Sequence, residues 1–182
     1  MEEDIIKIAG ITEESSVDGP GIRYVIFTQG CPHNCKGCHN PQTHDLCGGK
    51  PIKIDDLVEK INKNPMLSGV TLSGGEPFLQ ARALSKLIDK LDTNKHDVMV
   101  YTGFEYENLV DKSNEKNAFS ELLSRADILI DGKFENDKKD ELLMFRGSSN
   151  QRIIDCKNSL KTGKVLEAKV NEEGYVTYVD QL

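Results

Sequence analysis

Four short runs of apolar and β-branched residues, at 22–27, 69–72, 97–101 and 127–130, set the fold class of this chain. None of them alternates cleanly with polar residues, so each must be covered on both faces, which is the condition of a parallel sheet with helical crossovers. The segments between them support that reading. Ile54, Leu57, Val58 and Ile61 recur at helical spacing before Pro65, and Leu84, Leu87, Ile88 and Leu91 repeat the same stripe. Phe119, Leu122 and Leu123 predict one short helix after a polar loop from about Asp111 to Asn117. The predicted class is α/β. Four or five strand-helix units are too few to close an eight-stranded barrel, so the expected architecture is an open partial (β/α) barrel with mostly parallel strands. Near the end, residues 165–170 and 175–179 flank a turn at 171–174, predicting a C-terminal β-hairpin appendage. At 182 residues the length suits one domain, with a core over about 5–155 and an extension over about 160–182.

Charge narrows the partners. Lys and Arg total 23 against 30 Asp and Glu, a net charge of −7, which argues against gripping nucleic acid. The longest apolar runs, such as Ile128-Leu129-Ile130, fall far short of the roughly 20 residues that cross a bilayer, so no membrane is expected. Met1-Glu2-Glu3-Asp4 is acidic where a signal peptide is basic, which predicts a cytoplasmic location.

Four unusual segments each follow the C-terminal end of a predicted strand: a cysteine loop, Gly74-Gly75-Glu76-Pro77, Thr102-Gly103 and Asp131-Gly132-Lys133. In parallel α/β folds that rim is where ligands bind. Of five cysteines, Cys31, Cys35 and Cys38 crowd into eight residues, which suits metal or redox chemistry better than a disulfide framework. Three thiolates on a four-iron cluster leave one iron open, as a reactive metal site requires. A zinc site completed by His33, His39, His44 or Cys47 is the other reading of the same residues. Gly74 and Gly75 lack a Cβ and let backbone approach a ligand, and Glu76 offers a carboxylate to a cation. Asp131 and Lys133 are equally readable as a solvated turn. Residues 17–23, Val-Asp-Gly-Pro-Gly-Ile-Arg, form a rigid turn before the first strand.

The spacing C-x-x-x-C-x-x-C after the first strand, followed by Gly-Gly-Glu-Pro after the second, resembles the radical S-adenosylmethionine superfamily. That resemblance implies a [4Fe-4S] cluster on Cys31, Cys35 and Cys38. It implies an open iron chelated by the amino and carboxylate groups of S-adenosylmethionine, and one-electron cleavage to a 5'-deoxyadenosyl radical. By the same resemblance Gly74, Gly75 and Glu76 meet the cofactor, Glu76 through the methionine ammonium, while Asp131 and Lys133 touch the ribose hydroxyls. Two positions depart from the pattern: Gly37 stands where an aromatic residue is frequent, and Tyr101 replaces an acidic residue before Thr102. The Val17 to Arg23 stretch resembles the glycyl-radical activating enzymes and implies that Asp18 lies near a partner's glycine-bearing peptide. Residues 39–43 and 145–152 are similar to those of activators of the anaerobic ribonucleoside-triphosphate reductase, a match covering roughly residues 5–155. The implied protein is an oxidoreductase acting on that reductase, fed by an external one-electron donor such as flavodoxin or ferredoxin. An activator of pyruvate formate-lyase or another glycyl-radical enzyme, and a non-catalytic zinc-binding module, are the alternatives. His33 and His39 are expected only to donate hydrogen bonds to sulfide or solvent, Cys47 lies outside the motif, and Cys156 is expected to be a packed residue.

Overall fold

Alternation sorts the strand residues onto two buried faces. In the computed structural model, which describes residues 4–171 and 173–178, the strands are β1 (Ile5–Ser15), β2 (Arg23–Thr28), β3 (Lys50–Lys53), β4 (Gly69–Gly74), β5 (Asp97–Tyr101), β6 (Ile128–Asp131) and β7 (Arg152–Asp155). They form one sheet in the order β3-β1-β2-β4-β5-β6-β7. The centre, β2-β4-β5-β6, is parallel, while β1, β3 and β7 pair antiparallel at the two sides. The protein is therefore a mixed α/β fold with a parallel core. One face carries Tyr24, Ile26, Val70, Leu72, Val98, Val100 and Leu129, packed under the helices. The other carries Met99, Ile128, Ile130 and Ile153.

The helices are α1 (Ile54–Lys63), α2 (Ala81–Asp89), α3 (Tyr106–Asp111), α4 (Phe119–Leu123) and α5 (Cys156–Thr162). The expected stripes are the ones that pack: Ile54, Leu57 and Ile61 of α1 and Leu84, Leu87 and Ile88 of α2 are buried. No described helix is long and apolar enough to cross a membrane. A short pair, β8 (Lys169–Val170) and β9 (Val176–Thr177), forms the C-terminal hairpin. It lays Ala168, Val170 and Val176 against the second face. Just before it, the chain covers the open edge of β7, with Asp155 N donating to Leu166 O and Ala168 N to Ile153 O.

Several expectations need correction. β1 was not foreseen: Ile6 and Ile8 alternate properly, but charged residues and register shifts against β2 interrupt the pattern. Its presence, with β3, makes one side of the sheet antiparallel. α3 has only six residues and α5 seven, too short to show a stripe. The hairpin strands are two residues each, shorter than expected, and Val179, Glu172 and the acidic Met1–Glu3 lie outside the described residues.

Cys156 is fully buried, its thiol donating to Leu123 O at 3.4 Å. Burial, reinforced by Asp155, pushes that thiol from 9.0 up to about 12. The unfolded chain ionises it first, so this contribution to stability is complete below pH 9 and is lost as pH rises toward 12. Melting temperature should fall over that window, and fall less steeply in Cys156→Ala.

Candidate active site

β2 ends in Thr28 and hands the chain to Gly30 and the cysteine loop, and β4 ends beside it. The two ends are sewn together by Gly75 N donating to Thr28 O at 2.8 Å and Glu76 N to Gly30 O at 2.7 Å. A Cβ on Gly75 would sit 2.3 Å from Gly30 O, so this approach of backbones needs a glycine. Gly75→Ala should cost about 1–3 kcal/mol through forced separation of the strand ends. Thermal melting measures that cost, and an unchanged midpoint would contradict the packing.

The strand ends enclose a cavity of about 500 Å³. Cys31, Cys35, Cys38, Gly74 and Gly75 all line it. Val17 and Asp18 of the turn before β2 form another wall. The Asp18 carboxylate accepts from Ser15 Oγ and its carbonyl from Thr71 Oγ1 at 2.8 Å, so the turn is fastened to the sheet. All three cysteines are free thiols and half-buried.

The residues fit an iron-sulfur cluster with a small polar ligand beside it. No group of three or more His, Cys, Asp or Glu among the described residues is arranged to hold a single metal ion, whereas a cubane spreads its ligands over separate corners. Asn40 N donates to Cys38 Sγ at 3.4 Å, a bond suited to a thiolate. Burial pushes the Cys31 and Cys35 thiols upward, and at Cys35 the positive Lys133 pulls the other way. Bound iron would supply the charge that deprotonates them. On the cavity wall His44 Nε2 and Arg146 Nε are buried without a hydrogen-bond partner, a demand that a polar ligand would meet.

Three residues expected at the cofactor, Glu76, Asp131 and Lys133, do not themselves line this cavity. Glu76 is fully buried and off the cavity wall, its carboxylate surrounded by protein donors. Asp131 follows Ile130 by one residue, so it shares the helix-facing side of β6 with Leu129. There its carboxylate accepts from Tyr106 N at 2.8 Å and Arg152 Nε at 3.0 Å, and Arg152 also grips Glu107. Gly132 reaches the cavity, while Asp131 and Lys133 do not line it. His33, expected only to flank the cluster, instead bonds Glu76, and Thr102 bonds the same carboxylate. Neither was legible as a partner, since the residues are 43 and 26 positions from Glu76.

The family model described as a 4Fe-4S single cluster domain matches residues 17–154. Proteins named anaerobic ribonucleoside-triphosphate reductase-activating protein are similar over most of their length. The one from Pasteurella multocida is 36% identical over 146 residues, covering 75% of this chain and 89% of the relative. That from Escherichia coli K12 is 34% identical over 146 residues, covering 75% and 90%, and that from Enterobacteria phage T4 32% over 144, covering 75% and 86%. Among solved structures, the crystal structure of QueE from Escherichia coli aligns at 22% identity with a TM-score of 0.42, covering 54% of this chain and 52% of that one, too slight a likeness to argue from. Matched from the Asp18 turn to β7 by that domain, and along most of its length by relatives of one name, the chain belongs to the family of anaerobic ribonucleoside-triphosphate reductase-activating proteins, iron-sulfur proteins of the 4Fe-4S single cluster type.

Proposed function

We propose that this chain is a radical S-adenosylmethionine activating enzyme that generates a glycyl radical on an anaerobic ribonucleoside-triphosphate reductase, using a sheet curved as a partial barrel. The observation that carries the reading is that Cys31, Cys35 and Cys38 line the same cavity as Gly74, Gly75 and the Asp18 turn. The names of the relatives supply the partner. Cys31, Cys35 and Cys38 would hold the [4Fe-4S] cluster as thiolates. When bound, the cluster supplies the single electron that cleaves S-adenosylmethionine and so lets a hydrogen atom be taken from the reductase glycine.

The chain's own part is placement. Gly74 and Gly75 let backbone lie against the cofactor without a side chain intervening. Arg146 and His44 offer their unpartnered nitrogens to its polar groups. Asp18 lies on the wall facing the incoming peptide, beside Val17, which is 75% exposed and marks where the cavity opens to the surface. The reductase loop closes that opening and excludes water while the reaction proceeds. An external flavodoxin-like or ferredoxin-like protein supplies the electron. Mixing the reduced protein with S-adenosylmethionine and the reductase should give a glycyl doublet by electron paramagnetic resonance. No doublet from a partner that another activator can charge would contradict the proposal.

A further inference from the structure

A carboxylate sealed from water must have each oxygen answered by donors, and the donors around Glu76 come from three separate segments. Phe78 N lies 3.1 Å from it, just after β4. Thr102 Oγ1, at 2.9 and 3.0 Å from the two oxygens, and Gly103 N, at 2.9 Å, come from the end of β5. The remaining donor is His33 Nε2 at 2.6 Å, from the middle of the turn between Cys31 and Cys35. The imidazole is itself confined. Its side chain is 6% exposed, and Phe104 meets it edge-on with ring centroids 4.5 Å apart. Gly103 leaves it room, since a Cβ there would come within 2.4 Å of the ring. Backbone bonds fix the start of the turn at Gly30 and Cys31, and this side-chain bond adds a tie from its middle, between two cluster ligands, to the strand ends. A loop held at Cys31 and Cys35 alone could pivot about its own backbone.

We propose that Glu76 acts through His33, latching the cysteine turn onto the β4–β5 rim so that the open corner of the cluster faces the cavity. Glu76 is on this reading a positioning residue and not a ligand of S-adenosylmethionine. The proposal rests on the function proposed above, because only an open iron gives the orientation a consequence. The latch joins two residues in one effect: losing the donor or the acceptor releases the same turn, so the second loss adds nothing to the first.

The test is a titration of S-adenosylmethionine into the reduced protein, read from the cluster's low-temperature spin-resonance spectrum, with iron counted in each sample. His33→Ala should raise the apparent dissociation constant roughly 10-fold, the loss expected of a charge-assisted hydrogen bond. Glu76→Gln removes the charge and sets an amide NH2 against donors that lie at both carboxylate oxygens, so it should match that loss, and the double variant should be no worse than the single ones by more than about 3-fold. His33→Gln, whose amide still donates to Glu76, should return to within about 3-fold of the unsubstituted protein. A His33→Ala variant that binds normally while Glu76→Gln does not would overturn the latch and make Glu76 a direct ligand. Additive losses in the double variant would overturn it as well. Should Glu76→Gln fail to fold, the two His33 variants decide: equal behaviour at any iron content overturns the latch. A spectrum of the unsubstituted protein that ignores S-adenosylmethionine sinks the proposed function itself.

Discussion

Cys35→Ala should purify anaerobically without its cluster, its iron falling from about four per chain toward none, and should form no glycyl radical on the reductase. The three cysteines face one cavity, and two remaining thiolates cannot anchor a cubane that already forgoes its fourth protein ligand. Because the cofactor carries the difficult chemistry, the loss of activity should exceed about 100-fold. Cys47→Ala is the control. Cys47 is exposed and off the cavity wall, so its removal should leave the iron count unchanged. A fall in metal content on losing Cys47 would instead point to the zinc-binding alternative.

The largest loss of stability should follow Arg23→Ala. Arg23 is fully buried at the start of β2, where Nε donates to Thr71 Oγ1 at 2.7 Å, Nη1 to Pro20 O at 3.1 Å and Nη2 to Val70 O at 2.8 Å. Nη2 also pairs with Asp97 at 2.6 Å. Removing the guanidinium strands several buried acceptors and loosens the turn that carries Asp18, since Thr71 bonds both Arg23 and Asp18 O. Truncating one partner of a buried ion pair costs about 3–5 kcal/mol, and the lower end applies because the Asp97 side chain is 39% exposed. For a chain of this size, that is a drop of about 6–12 °C in melting temperature. Asp97→Asn should cost less than Arg23→Ala, because the amide keeps an oxygen that can accept from the guanidinium and leaves the bonds to Thr71, Pro20 and Val70 in place. Equal losses from the two substitutions would show that the ion pair, not the buried network, holds the turn.

Most of the site's location was legible in the sequence and much of its wiring was not. The spacing of the three cysteines and the glycine pair after the next strand are local, and strand ends are visible as the points where apolar runs stop. The parallel core and the stripes of α1 and α2 were legible for the same reason. The partners of Glu76 were not, because His33, Thr102 and Gly103 meet it only after three strand ends come together. Asp131 illustrates a second limit. It does end its strand at the rim, but both faces of β6 are apolar, so alternation alone does not say which face looks into the cavity. The antiparallel β1 was hidden by charged residues and register shifts that break its period.

Mössbauer spectroscopy of the protein reconstituted with isotopically enriched iron tests the central claim most directly, by comparing the cluster with and without S-adenosylmethionine. One of the four irons should give a distinct signal that shifts when S-adenosylmethionine is added, with the other three unmoved on Cys31, Cys35 and Cys38. Four equivalent, fully protein-ligated irons that do not respond would contradict it.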